Sequence, residues 1–179
     1  MRCRQKSSPL RLESLNSRAT RGRLRCGWLA LPCSLGRSGR SVAKREGDGA
    51  TPSGRWRLRE VLYRPDRVAR PSTGLPVRPI RALDGWCDAI GDRNYNRAVR
   101  HPYPASAETL WRADALYDVV VVVSYNEQPR VQGRGSAIFL HIERPDRGPT
   151  AGCVAVTLCD MRRLLAVLGP GARLVVPAG

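Results

Sequence analysis

Two side chains able to do nucleophilic chemistry lie close together near the C-terminal end, within Gly135–Val156 (GSAIFLHIERPDRGPTAGCVAV). A short apolar run delivers His141, a turn rich in Pro, Asp and Gly follows, and Thr150-Ala151-Gly152-Cys153 leads into a second β-branched run. An ordinary thiol, with a pKa of about 8.5, is only a few per cent thiolate at neutral pH; a neighbouring imidazole can take its proton and later hand it to a leaving amine. Cys153 is therefore the candidate nucleophile and His141 the candidate general base and acid. Gly152 permits close approach of a substrate carbonyl, and its N–H, with that of Cys153, is a candidate oxyanion hole. Thr150 is the candidate orienting group. No carboxylate stands out as a third member, since Asp146 lies deep in the turn, so a backbone carbonyl is expected to orient His141. The competing reading is a buried structural cysteine beside a core histidine.

The elements that must position these residues are mostly strands. Tyr117–Tyr125 (YDVVVVVSY) is a near-continuous β-branched run, apolar on both faces, which predicts a strand inside a sheet. Ser136–Ile142 predicts the next strand, with Ile138, Leu140 and Ile142 on one face and Ala137, Phe139 and His141 on the other. After Cys153 and Val154–Val156, Thr157 is the expected cap of a helix, with Asp160 three residues on. Leu158, Met161, Leu164, Leu165 and Leu168 form its apolar stripe, and Gly169-Pro170 stops it. Arg173–Val176 reads as a last strand. Upstream, RLRCGWLAL from Arg23 reads as one alternating strand broken by Pro32, and Arg55–Leu62 as another. Residues 63–80 hold four prolines and read as an irregular connection, and 107–115 as a short helix. Trp86, Tyr95 and His101-Pro-Tyr-Pro lie in loop-like sequence of the composition expected around a pocket; Trp86 and Tyr95, with Phe139 on the His141 face, are candidate substrate-binding residues. Six or seven strands and one helix, without a βαβ rhythm, predict a mainly β sandwich or barrel.

Composition bounds the rest. The 179 residues suit one domain, 9–179, preceded by a basic tail over 1–8. The net charge of +16 points to an anionic partner, although nearly all of the basic residues are Arg, which a coding bias would also produce. The six cysteines are irregularly spaced, without a CxxC pair, and the two histidines do not make a zinc pattern, so no metal and no cofactor is expected. The loop Lys44–Gly54 (KREGDGATPSG) is rich in glycine but lacks the spacing and following helix of a phosphate-binding loop. The longest apolar runs, 28–33 and 119–123, fall far short of the ~20 residues of a membrane span. The basic N-terminus is not followed by an apolar signal core, and Arg2 and Arg4 are not adjacent, so no signal peptide is recognisable.

IFLHI…PTAGCVAV resembles the L,D-transpeptidase catalytic domain family, the YkuD-like family, which carries a His and a Ser/Thr-x-Gly-Cys segment in a β-sandwich. KREGDGATPSGRWRL is similar to that family's Gly-Asp-Gly-x-Thr-Pro-x-Gly segment leading into a strand. ALPCSLGRSG and LYDVVVVVSYN also look like one branch of it, and the motifs together span residues 20–176 in order. The resemblance implies a β-sandwich with one C-terminal helix and a cysteine transpeptidase acting on peptidoglycan stem peptides, as donor and acceptor. Cys153 would form a thioacyl-enzyme at an L-centre, His141 would serve as base and acid, and carbapenem-type β-lactams would acylate Cys153. It implies action at the periplasm or cell wall; without a recognisable signal, a cytoplasmic location stays open. Ala151 stands in the usual His place and Ala155 in the usual Arg or Asn place, and the segment from His141 to Thr150 is shorter than usual, which leaves a 3-3 or a 1-3 cross-link open. The alternatives are an L,D-carboxypeptidase using water as acceptor, a non-catalytic wall-binding relative, and a basic nucleic-acid-binding β-domain, for which no motif is present.

Overall fold

A computed structural model describes residues 9–178; the tail expected over 1–8 lies outside the described residues. The strands are β1 (Leu10–Glu13), β2 (Arg21–Cys26), β3 (Leu29–Ser34), β4 (Arg40–Ser41), β5 (Thr51–Pro52), β6 (Gly54–Tyr63), β7 (Val77–Pro79), β8 (Asp84–Cys87), β9 (Arg97–Arg100), β10 (Ala107–Thr109), β11 (Val119–Val123), β12 (Phe139–Ile142), β13 (Val154–Val156) and β14 (Arg173–Val176). One helix, α1 (Leu158–Val167), lies between β13 and β14. The main sheet runs β11-β12-β13-β3-β2-β1-β14-β6-β7, and β11 also pairs with β6, so its hydrogen bonding closes on itself. A second sheet, β10-β8-β9, is separate. The fold is thus mainly β with a single helix near the C-terminus among the described residues, the class the sequence predicts.

Side-chain alternation divides the interior in two. Val119, Val121 and Val123 enter the larger core with Ile138, Leu140, Ile142, Val154 and Val156. Val120 and Val122 point the other way, into a second core with Phe139, Trp86, Leu110, Tyr117 and Cys153. The valine run is apolar on both faces because both faces of the sheet are covered there. Helix α1 closes the larger core with Met161, Leu164, Leu165 and Leu168. Thr157 caps it, its hydroxyl accepting the Asp160 N–H at 3.1 Å, and the helix ends at Leu168, before Gly169-Pro170.

Three local expectations are corrected. RLRCGWLAL is not one strand but a hairpin, β2 and β3 pairing Cys26 with Leu29 across Gly27-Trp28. Gly27 takes φ +56°, which lets a two-residue loop reverse the chain, and Pro32 sits inside β3. Residues 107–115 do not form a helix. Ala107–Thr109 pairs with β8, matching Ala107 to Cys87 and Thr109 to Gly85, and Leu110 is buried, so tertiary pairing overrides the helical propensity of Ala, Glu and Leu. The proline-rich connection over 63–80 contains a short strand, β7, whose Val77 pairs with Val61 of β6.

Candidate active site

Strands β12 and β13 are neighbours and run parallel, pairing Leu140 with Val154 and His141 with Ala155. This register puts Cys153 beside Phe139 and two residues out of step with His141. Both side chains nevertheless line one cavity of about 470 Å³. Its wall also carries Thr150, Ala151, Lys44, Glu46, Glu108 and Arg112.

The Cys153 sulfur accepts the Phe139 N–H at 3.4 Å, and its S–H donates to the Ala137 carbonyl at 3.3 Å. Ala137 is held in the left-handed region, φ +49°, a strained position for a residue with a Cβ. Its N–H donates to Asn96 Oδ1 at 3.1 Å, which also accepts the Trp86 indole N–H at 2.9 Å. The buried Asn96 amide in turn donates to the Tyr125 and Asn126 carbonyls. A polar chain therefore runs from Trp86 through Asn96 to the Ala137 N–H, on the residue whose carbonyl accepts the thiol S–H. Burial, with the Glu108 charge adding to it, pushes the Cys153 thiol up to about 12, against the Phe139 N–H and Lys44.

His141 is buried, and its Nδ1 lies 2.8 Å from the Ile142 carbonyl. A carbonyl only accepts, so Nδ1 bears the proton and Nε2 keeps its lone pair. Burial lowers the imidazole pKa to about 4, outweighing that hydrogen bond. The resting pair is thus a neutral thiol and a neutral imidazole with no hydrogen bond between them. The orienting group is a backbone carbonyl, as the absence of a sequence-adjacent acid suggests. The His141 ring also packs edge-on against Tyr117, centroids 5.4 Å apart.

Thr150 and Gly152 shape the approach to Cys153. The Thr150 hydroxyl donates to the Cys153 carbonyl at 2.6 Å and accepts the Gly152 N–H at 3.1 Å. The Gly152 N–H is therefore engaged, which leaves the Cys153 N–H as the candidate oxyanion donor. The loop Lys44–Gly54 forms the floor beneath them. Thr51 accepts the Gly36 N–H and reaches the Cys153 carbonyl, and the Ala50 carbonyl lies under Gly152. Asp48 knits the loop together, accepting from Lys44 Nζ at 2.7 Å and from the Arg45 and Ala50 N–H groups. Burial opposes the charged Asp48, but these donors outweigh it and hold its carboxyl below the usual range.

The three candidate substrate-binding residues do not line the cavity. Trp86 and Phe139 pack edge-on in the second core, centroids 5.2 Å apart. Tyr95 is fully buried and donates to Glu46 at 2.5 Å. They support the site from behind. Among the described residues, no group of three or more His, Cys, Asp or Glu side chains is placed to hold a metal ion.

Sequence reasoning passed over Lys44, Glu46, Glu108, Arg112 and Tyr117. The Tyr117 hydroxyl donates to Glu108 at 2.5 Å, and Arg112 lies over the Tyr117 ring, 5.2 Å from its centroid. Burial raises the Glu108 carboxyl above its usual range, against the Tyr117 hydrogen bond and Arg112. The Gly-Asp-Gly loop offered a signal for Lys44 and Glu46, and the LYDVVVVVSYN run for Tyr117; Glu108 and Arg112 sit in a segment without a motif. Because the Glu108 charge opposes the thiolate, Glu108→Gln, which keeps an acceptor for Tyr117, is expected to speed alkylation of Cys153 at pH 8 several-fold. Iodoacetamide labelling read by intact mass checks this; an unchanged rate would detach Glu108 from the thiol.

The match of residues 19–176 to the L,D-transpeptidase catalytic domain, YkuD, covers nearly the whole chain. The chain belongs to this L,D-transpeptidase catalytic domain family. No curated protein and no solved structure matches it individually. The family acts on peptidoglycan peptides. The resemblance carried by IFLHI, PTAGCVAV and the Gly-Asp-Gly loop thus stands for the chain as a whole. Two of the family departures noted in the sequence, Ala151 and Ala155, both line the cavity. No helix among the described residues is long and apolar enough to cross a membrane.

Proposed function

We propose that the protein is a peptidoglycan L,D-transpeptidase with Cys153 as nucleophile and His141 as general base and acid. One observation carries the reading: a single cavity holds the Cys153 thiol and an imidazole whose tautomer leaves Nε2 free as a base. The sulfur attacks the donor-stem carbonyl at an L-centre while its proton passes to Nε2. With the thiol near 12 and the imidazole near 4, proton transfer accompanies attack instead of preceding it. The Cys153 N–H holds the developing oxyanion. The C–N bond breaks, the departing D-residue amine takes the proton from the imidazolium, and a thioester remains. An acceptor amine then attacks the thioester and gives its proton to Nε2; the C–S bond breaks and the thiolate recovers the proton.

The cavity lining is amphoteric. Glu46, Asp88 and Glu108 offer partners to an amine, while Arg37, Arg112 and Arg144 offer partners to a carboxylate. Stem peptides carry both groups, which supports the substrate class and a site of action at the cell wall. A carbapenem-type β-lactam presents a strained carbonyl to the same thiol and is expected to acylate it.

Intact-protein and product mass spectrometry with a disaccharide-tetrapeptide tests the reading. The expected result is an acyl adduct on Cys153 and a cross-linked dimer lacking one D-residue, both lost in Cys153→Ala. Tripeptide without dimer would reassign the protein as an L,D-carboxypeptidase. No adduct and no product across stems of different length would sink the enzyme reading.

A further inference from the structure

The outer face of four adjacent strands, β2, β1, β14 and β6, is dominated by arginine, with Glu13 and Val175 among the arginines. Their inward residues, Leu10, Leu12, Leu24, Cys26, Leu58, Leu174 and Val176, all enter the larger core. The alternate residues turn outward: Arg21 (paired with Glu143), Arg23 and Arg25 on β2, Arg11 and Glu13 on β1, Arg173 and Val175 on β14, and Arg55, Arg57 and Arg59 on β6. Register sets Arg11 opposite Arg25 and Arg173 opposite Arg57, while Glu13 lies opposite Arg23 and Val175 stands between Arg11 and Arg55. Like charges directly opposed across strands are destabilising, so the sheet carries this array against its own stability.

Little within the protein neutralises it. Arg25 pairs with Glu13 at 2.8 Å, and Arg59 pairs with Glu127. Among the described residues, Arg11, Arg23, Arg55, Arg57 and Arg173 have no ion-pair partner. None of these arginines lines the catalytic cavity. Strands about 4.8 Å apart, with outward residues about 6.7 Å apart along each, set the guanidinium groups in a shallow grid. Guanidinium groups bind phosphate through two parallel donors. At one end of β2, the hairpin tip holds Trp28 outward, 81% exposed. Indole is the side chain that settles at the boundary between lipid headgroups and acyl chains.

We propose that this arginine face, with Trp28 at its rim, docks the protein on an anionic phospholipid surface. The shape favours a bilayer over a nucleic acid or a charged polymer. The array is a sheet face rather than a groove, and no aromatic residue is interleaved among the arginines to stack on bases. The inference is independent of the catalytic reading.

Sedimentation of the full chain with phosphatidylglycerol/phosphatidylcholine vesicles tests it, with phosphatidylcholine vesicles as control. The expected result is binding to the anionic vesicles alone, weakened at high salt. A juxtamembrane basic residue is worth about fivefold in partitioning, so R11Q/R57Q/R173Q should bind about 100-fold more weakly. The basic residues of the N-terminal tail are present in both proteins, so the difference reads the face. A blue shift of tryptophan emission on vesicles should be lost in Trp28→Phe. Circular dichroism confirms that the variants fold. Equal binding to neutral vesicles, no binding, or unchanged binding by the triple variant would overturn the proposal. Displacement from vesicles by a duplex DNA or an anionic polysaccharide at equal charge would reassign the face to a polymer.

Discussion

Replacing His141 with glutamine is expected to slow acylation of Cys153 by about 10²–10⁴-fold, the usual contribution of a positioned general base. Cys153 rests as a thiol hydrogen-bonded to the Ala137 carbonyl, and its pKa of about 12 makes the free thiolate negligible at neutral pH. Attack therefore needs an acceptor for the thiol proton. In the proposed mechanism that acceptor is Nε2 of His141, whose lone pair is kept because the Ile142 carbonyl holds the proton on Nδ1. The rate of adduct formation with a carbapenem, followed by intact mass, measures the loss; a variant that acylates at the parent rate would remove His141 from the chemistry. The parent rate should be level across neutral pH and fall only as the imidazole protonates near 4.

The same histidine has a stability signature. An unfolded imidazole binds a proton below about 6.5, whereas the folded one stays neutral down to about 4. Between these values the unfolded state holds the extra proton, so stability falls as pH falls through this window. The loss attributable to His141 is about 3 kcal/mol, on the scale of 1.36 kcal/mol per pH unit. Urea unfolding at the two ends of the window should show that component in the parent and not in His141→Gln.

Gly152→Ala is expected to abolish most activity and to lower stability together. Gly152 has φ +136°, a conformation that residues with a Cβ rarely adopt, and an added Cβ would lie 2.8 Å from the Ala50 carbonyl oxygen. Such strained backbone costs about 1–3 kcal/mol, and relief requires the Thr150–Cys153 turn to lift from the loop below. The Cys153 N–H and sulfur would move with it, and a displacement of about 1 Å costs on the order of 100-fold in rate. Thermal unfolding and carbapenem acylation read the two effects. Gly169→Ala, where nothing lies within 4 Å of the new Cβ and φ is not in the left-handed region, is the matched control. A Gly152→Ala protein with the parent's midpoint and rate would refute this account of the turn.

The sequence alone determined the class of the fold and the identity of the candidate pair. Both follow from local signals: β-branched runs that can only be buried on two faces, a capped amphipathic helix after Cys153, and a Gly-Cys preceded by a strand that delivers His141. The hairpin at Gly27-Trp28 was also encoded locally, by the glycine that reverses the chain, yet the alternation on either side is continuous and hides the break. The tertiary structure decided what surrounds the pair. Lys44 and Glu46 come from the loop between β4 and β5 and Glu108 from β10 of the second sheet, far along the chain, and only tertiary packing brings them to one cavity. The strand at 107–109 exists because β8 offers an edge, which no local propensity registers. Trp86, Tyr95 and Phe139 were legible as large side chains near the site, but whether an aromatic faces a cavity or a core depends on what packs behind it. The protonation of the pair was likewise beyond sequence: proximity of His and Cys suggests an activated thiolate, whereas burial disfavours both charges and leaves both groups neutral at rest.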